Sequence, residues 1–212
     1  MQLNSSVNQL ILLNNDLSEC TYNFKYEELN LLWYLAEQIN ADLESFSVTL
    51  QDKELISLAD TMWLSYFKSF DYQKEYSITE SNHIFMEKQE TPIETTLFLN
   101  SKAISLLNQS LRFKLFPKEK LAKITNNFTF NLLFIVVSSS TYLNATRGEI
   151  KVNFQLYSKF LELENTSYSS FNNFRQKLIV PAMTELLNLG IVTKLEVNKI
   201  TNSDYFKVIW EL

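Results

Sequence analysis

The stretch Tyr168–Leu212 reads YSSFNNFRQKLIVPAMTELLNLG, then IVTKLEVNK, a polar break ITNSD, and YFKVIWEL. Phe171, Phe174, Leu178, Ala182 and Leu186 recur at helical spacing, which sets Asn172, Asn173, Gln176 and Lys177 on the opposite, outer side. Gly190 follows the last periodic residue, where a left-handed stop is cheap only for glycine, so the chain can turn straight into a strand. Ile191, Thr193, Leu195 and Val197 alternate with Val192, Lys194 and Glu196, and with Phe206, Val208 and Trp210 after the Asn202-Ser203-Asp204 break they predict a hairpin. A helix followed by a hairpin is the back half of a winged helix. A plain α+β packing unit with no ligand would show the same pattern.

Working outward, the first half is expected to hold a short strand at Thr21–Phe24, an amphipathic helix Tyr26–Asn40, a strand Ser45–Leu50 and a helix Gln51–Asp60. The aromatic-rich run Thr61–Phe70 reads as a third helix. Tyr76–Thr79, His83–Glu87 and Thr95–Leu99 read as strands of a wing, and Ser101 caps a helix toward Leu111. Pro117 is placed to open a helix to Ile124, followed by helices Thr129–Ser138 and Phe154–Leu163 about a polar break at Asn144–Gly148. The fold class expected is α+β, two tandem winged-helix domains over 8–116 and 117–212, each a helical cluster with a small antiparallel wing.

Composition removes several functions. Two glycines in 212 residues, Gly148 and Gly190, cannot write a phosphate-cradling loop or a dinucleotide fingerprint, both of which need closely spaced glycines. The sole histidine, His83, has no second histidine or cysteine cluster to complete a metal set, and reads as an ordinary surface or turn residue. No carboxylate pair stands out as general acid and base. No enzyme, cofactor or metal is therefore expected. One cysteine, Cys20, cannot form an internal disulfide, and the longest apolar run, Leu132–Val137, is far too short to cross a bilayer, so a cytoplasmic protein with no membrane partner is expected.

Charge is divided unevenly. Residues 1–100 carry 5 Lys or Arg against 16 Asp or Glu, a net of −11, whereas residues 101–212 carry 14 against 8, a net of +6. Affinity for nucleic acid comes largely from cations that neutralise phosphates, so only the second half is suited to it. Its densest basic run is Arg112, Lys114, Lys118, Lys120 and Lys123, which could track a phosphate backbone or form a solvated helix face. Trp63, Tyr66, Phe67 and Phe70 are more apolar than a small surface usually tolerates, and some are expected to face a partner chain.

The run from Tyr168 to Asn188 resembles the signature of plasmid replication initiators of the Rep-3 type, at Tyr168, Phe171, Phe174, Arg175, Lys177, Leu178, Ile179, Pro181, Ala182, Glu185 and Asn188. Upstream, Glu28, Leu31, Leu32, Leu35, Ala36, Gln38 and Ile39 resemble the family's opening helix, in the family's order, so the likeness covers most of the chain. It implies a protein that binds repeated origin DNA, or an operator, through its C-terminal unit, forms homodimers through its N-terminal unit, and recruits host replication proteins. On that reading Ser169 and Ser170 meet a phosphate at the helix start, and Asn172, Asn173, Arg175, Gln176 and Lys177 face the major groove. Lys194 and Lys199 reach phosphates from the wing, joined by Arg112, Lys114, Lys118 and Lys120. Pro181 is expected to end or kink the helix. The chain departs from the family where Gln176 interrupts Arg175 and Lys177 and where the wing loop reads ITNSD. A winged-helix transcriptional regulator and a protein-interaction module without DNA binding are the alternatives.

Overall fold

The computed structural model describes residues 10–14, 20–21, 27–28, 31–32, 34–35, 38, 47–63, 66–69, 82–100, 113–139 and 145–212. They form a mixed α+β fold with small antiparallel sheets. Leu10–Asn14 (β1) pairs with Phe113–Pro117 (β8), bringing the two ends of the first half together. Ser47–Leu50 (β3), Thr95–Leu99 (β7) and Phe85–Glu90 (β6) make one three-stranded sheet in the order β3-β7-β6. The helix Lys53–Thr61 (α1) starts where the Asp52 carboxylate accepts from the amides of Glu54 and Leu55. Positions 27, 28, 31, 32, 34, 35 and 38 are helical, with Leu31, Leu32 and Leu35 buried, as the amphipathic pattern predicts.

The expected helix Thr61–Phe70 is not formed. α1 stops at Thr61, and Tyr66–Ser69 is a strand (β4) between Cys20–Thr21 (β2) and Asn82–His83 (β5). Tyr and Phe suit a pleated surface as well as a helix, and pairing on both sides decided between the two. The expected wing strands His83–Glu87 and Thr95–Leu99 are present as β6 and β7, but β7 takes β3 as its second partner. Tyr76–Thr79, the helix at Ser101, Phe70 and Arg112 lie outside the described residues, as do Tyr22–Phe24.

In the second half Pro117 ends a strand and stands at the N-cap position of the short helix Lys118–Leu121 (α2), so the expected helix starts there but stops short of Ile124. Asn127–Ser138 (α3) begins where the Asn126 carbonyl oxygen of the side chain accepts from the Phe128 amide. Every side chain from Phe128 to Ser138 is buried, the polar Thr129, Asn131 and Ser138 among mostly apolar neighbours, so α3 lies within the core. Phe154–Phe160 (α4) is capped by Asn153, and ends with Glu162 at φ 58°. The second sheet runs Lys194–Lys199 (β10), Tyr205–Glu211 (β11), Arg147–Asn153 (β9), with β11 in the middle.

β9 begins inside the expected polar break, taking its last two residues, Arg147 and Gly148. Its exposed Arg147, Glu149 and Lys151 alternate with Gly148, Ile150 and Val152. Gly148 stands opposite Trp210, and a Cβ there would come within 2.7 Å of the indole. The glycine therefore makes room for the ring, whose Nε1 donates to Ser139 Oγ at 2.6 Å and ties β11 to the end of α3.

Candidate nucleic-acid interface

The segment after α4 is one helix built in three pieces. Ser170 caps Phe171–Phe174 (α5) by accepting from the Asn173 amide at 3.3 Å, a π turn spans Arg175–Ile179, and Val180–Asn188 (α6) follows. In the π turn the Val180 amide reaches five residues back to the Arg175 carbonyl. Pro181 comes directly after it. A proline in an ordinary helix lacks a donor and collides with the carbonyl four residues back; the extra residue of the π turn shifts that carbonyl, and the helix continues to Asn188. Pro181 thus does not end the helix, which corrects the first of the two expected outcomes; the backbone irregularity beside it is the π turn.

The extra residue also rephases the buried stripe. Phe171, Phe174, Ile179, Ala182 and Leu186 are buried, while Leu178, expected on the inner side, is only half-buried. Phe174, 0% exposed, packs against Phe128, Phe154, Tyr157, Phe171 and Phe206, with ring centroids between 5.3 and 6.4 Å apart. Four elements meet on that ring, so the helix is fixed relative to α3, α4 and β11. The opposite face is open. Asn172, Asn173, Gln176, Lys177, Pro181 and Thr184 are all exposed.

The far end of the helix is anchored by its own stop and by two side chains. Gly190 takes φ 60°, its amide donates to the Leu187 carbonyl and Ile191's to that of Leu186, closing the last turn. Lys120 donates to the Gly190 carbonyl, where the helix's partial negative charge concentrates. Glu185 accepts from the Thr125 amide at 2.7 Å and hydroxyl at 2.8 Å, from the Asn126 amide, and from the Thr129 hydroxyl at the start of α3. Burial pushes its carboxyl up, but the hydrogen bonds from Thr129, Thr125 and Asn126 outweigh that and hold it below the usual carboxylate range. A carboxylate at the N-terminus of α3 also complements that helix's dipole.

The β10–β11 hairpin lies beside the open face. Arg175 is half-buried, and its Nε donates to the Val197 carbonyl in β10 at 3.2 Å, joining helix to sheet. Asn198 and Lys199 are exposed at the end of β10, and the hairpin turns through Asn202 at φ 58°. Lys194 is exposed and pairs with Glu196 at 3.0 Å; Lys207 pairs with Glu149 at 3.1 Å. Among the described residues, no group of His, Cys, Asp and Glu could hold a metal ion, and no helix is long and apolar enough to cross a membrane.

With that geometry in view, the chain is similar to the Pi initiator protein in its crystal structure with iteron DNA. The TM-score is 0.45 at 10% identity, covering 96% of this chain and 81% of that one. A likeness this loose decides nothing by itself. No protein-family model and no curated protein matches the chain.

The residues singled out from sequence do not share one environment. Ser169, Asn172, Gln176, Lys177 and Lys199 are exposed on the helix and wing, and the Lys177 ammonium lies 5.9 Å from the centre of the Tyr168 ring. Ser170 and Asn173 are partly spent on structure: the first caps the helix, and the second donates its amide to the Ser167 carbonyl at 2.9 Å. Arg175 and Lys120 hold the helix to β10 and to its glycine stop. Lys118 is half-buried and engaged, and Lys114 lies in β8. Sequence reasoning passed over Arg147 and Lys151, exposed on the third strand of the same sheet; the alternation of RGEIKVN was the signal for them.

Proposed function

We propose that this chain binds duplex DNA through the open face of the helix Phe171–Asn188 and the adjoining β10–β11 wing, as a plasmid-type replication initiator acting on repeated origin sequences. The observation that carries DNA binding is the division of that helix. An aromatic cluster fixes one side, and a row of amides and a lysine, flanked by an antiparallel hairpin, is presented on the other. A rigid helix with a solvated polar face beside a wing is what insertion into a major groove requires. The initiator role and the origin target rest on the sequence resemblance to Rep-3 initiators.

The acidic first half repels phosphate, and we assign it to homodimerisation or contact with host replication proteins. Lys177 on the helix, with Lys199 and Lys151 on the wing sheet, is assigned to phosphates. No catalytic role is assigned. Titrating salt against the full chain and duplex taken from the DNA flanking its coding region, searched for tandem repeats, tests this. Log affinity should fall linearly with log salt, and Lys177→Ala with Lys199→Ala should make the slope shallower by about 2, roughly one per lysine. Absence of binding at low salt would overturn the proposal. A site without tandem repeats, bound as tightly, would leave a promoter-binding regulator in its place.

A further inference from the structure

We infer that the recognition helix reads adenine edges through Asn172 and Gln176, and that Arg175 is a positioning residue that sets the wing against the helix rather than a reader of guanine. The inference rests on the DNA-binding reading above and names the base class it selects. Arginine is the commonest guanine reader, because its guanidinium fork matches the O6 and N7 acceptors of that base. Arg175 is the helix's sole arginine, and it is half-buried with Nε committed to Val197 at 3.2 Å. Swinging the guanidinium out to a base would break that bond and remove this tie between the helix and β10.

The outward groups that remain are of another kind. Asn172 and Gln176 are exposed four residues apart, on the same side of the helix as Lys177. Carboxamides offer one donor and one acceptor side by side, matching the N7 acceptor and N6 donor of adenine. Asn173, with its amide donated to Ser167, is less able to present that pair. Lys177 can take N7 or O6 of guanine as a point charge, but its ammonium lies against the Tyr168 ring and it lacks the bidentate fork. The π turn at Arg175–Ile179 produces the arrangement: it sends Ile179 inward, and Arg175, at its start, bonds across to β10.

Selection of the full chain on a randomised duplex library, followed by binding to the enriched duplex with 7-deazaadenine at single positions, tests this. Enriched sites should carry adenines at two nearby major-groove positions. Removing either N7 should weaken wild-type binding roughly 5- to 100-fold. Asn172→Ala and Gln176→Ala, both at exposed positions, should each become insensitive to one of the two replacements. Arg175→Lys should weaken binding to every duplex alike, with the base preference and salt slope unchanged. Guanine-anchored sites whose preference disappears in Arg175→Lys would overturn the inference while leaving DNA binding intact. Binding with no sequence preference would also overturn the inference alone, whereas no binding even at low salt would remove the DNA reading with it.

Discussion

The chain builds a helix beside a three-stranded antiparallel sheet twice, as α1 with β3-β7-β6 and as the Phe171–Asn188 helix with β10-β11-β9. The two differ in what they do with charge. On the edge strand β6, Lys88 is closed in by Asp60 at 2.7 Å and Glu90 at 2.6 Å, and lies 5.8 Å from the Trp63 ring. Hydrogen bonds from Lys88 to Asp60 and Glu90 raise its pKa, so it is a cation held within an acidic surface. The second unit leaves Lys151, Lys177 and Lys199 exposed on sheet and helix. Similar backbone arrangements can thus be suited or unsuited to phosphate according to which cations are already neutralised nearby.

The largest effect should come from removing the support of the second unit's polar face. Phe174→Ala deletes the ring on which four elements converge and should cost about 3–5 kcal/mol in denaturant unfolding, with loss of DNA binding. An unfolding midpoint that stays put would show that the open face does not depend on the aromatic cluster. Next, Glu185→Ala strands the fully buried Thr129 hydroxyl and the Thr125 and Asn126 amides, for a loss of about 2–3 kcal/mol at neutral pH.

Glu185 also carries a sign. Its folded pKa is lowered, so its contribution is fully present above the unfolded carboxylate value and is lost as pH falls through the folded one. The gap between wild type and Glu185→Ala in thermal melts should therefore close as the solution is made strongly acid. A gap that widened toward acid would reverse that sign.

The smallest effects sharpen the comparison most directly. Lys88→Ala should cost under about 1 kcal/mol and leave DNA affinity and its salt slope alone, because its charge is already answered within the first unit. Lys199→Ala should change stability by less than about 0.5 kcal/mol yet make the salt slope shallower by about one. Equal slopes for the two variants would erase the distinction between the units.

Much of the second unit is legible without coordinates. Gly190 takes the left-handed stop its position calls for, and Leu195, Val197, Phe206, Val208 and Trp210 are buried in the alternation that the hairpin pattern requires. These follow from local rules: a period of two for a strand, and freedom of φ for a glycine. The outer row at Asn172, Asn173, Gln176 and Lys177 is likewise exposed, since either side of a helix can be read from its spacing. The strand β9 was hidden because RGEIKVN combines a glycine and three charges, and only Trp210 overhead explains why a glycine belongs there.

By itself, then, the order of residues determined that a helix with one apolar and one polar side would stop at Gly190 and lead into a hairpin, because each of those choices is made within a few residues. Tertiary structure alone decided that Ile179 rather than Leu178 would face inward, that Arg175 would be held by Val197, and that Glu185 would close the start of α3. Those outcomes hang on partners 22 residues away for Arg175 and 56 to 60 for Glu185. Periodicity records what a segment can bury. It does not record which distant carbonyl or hydroxyl will be waiting when the segment packs.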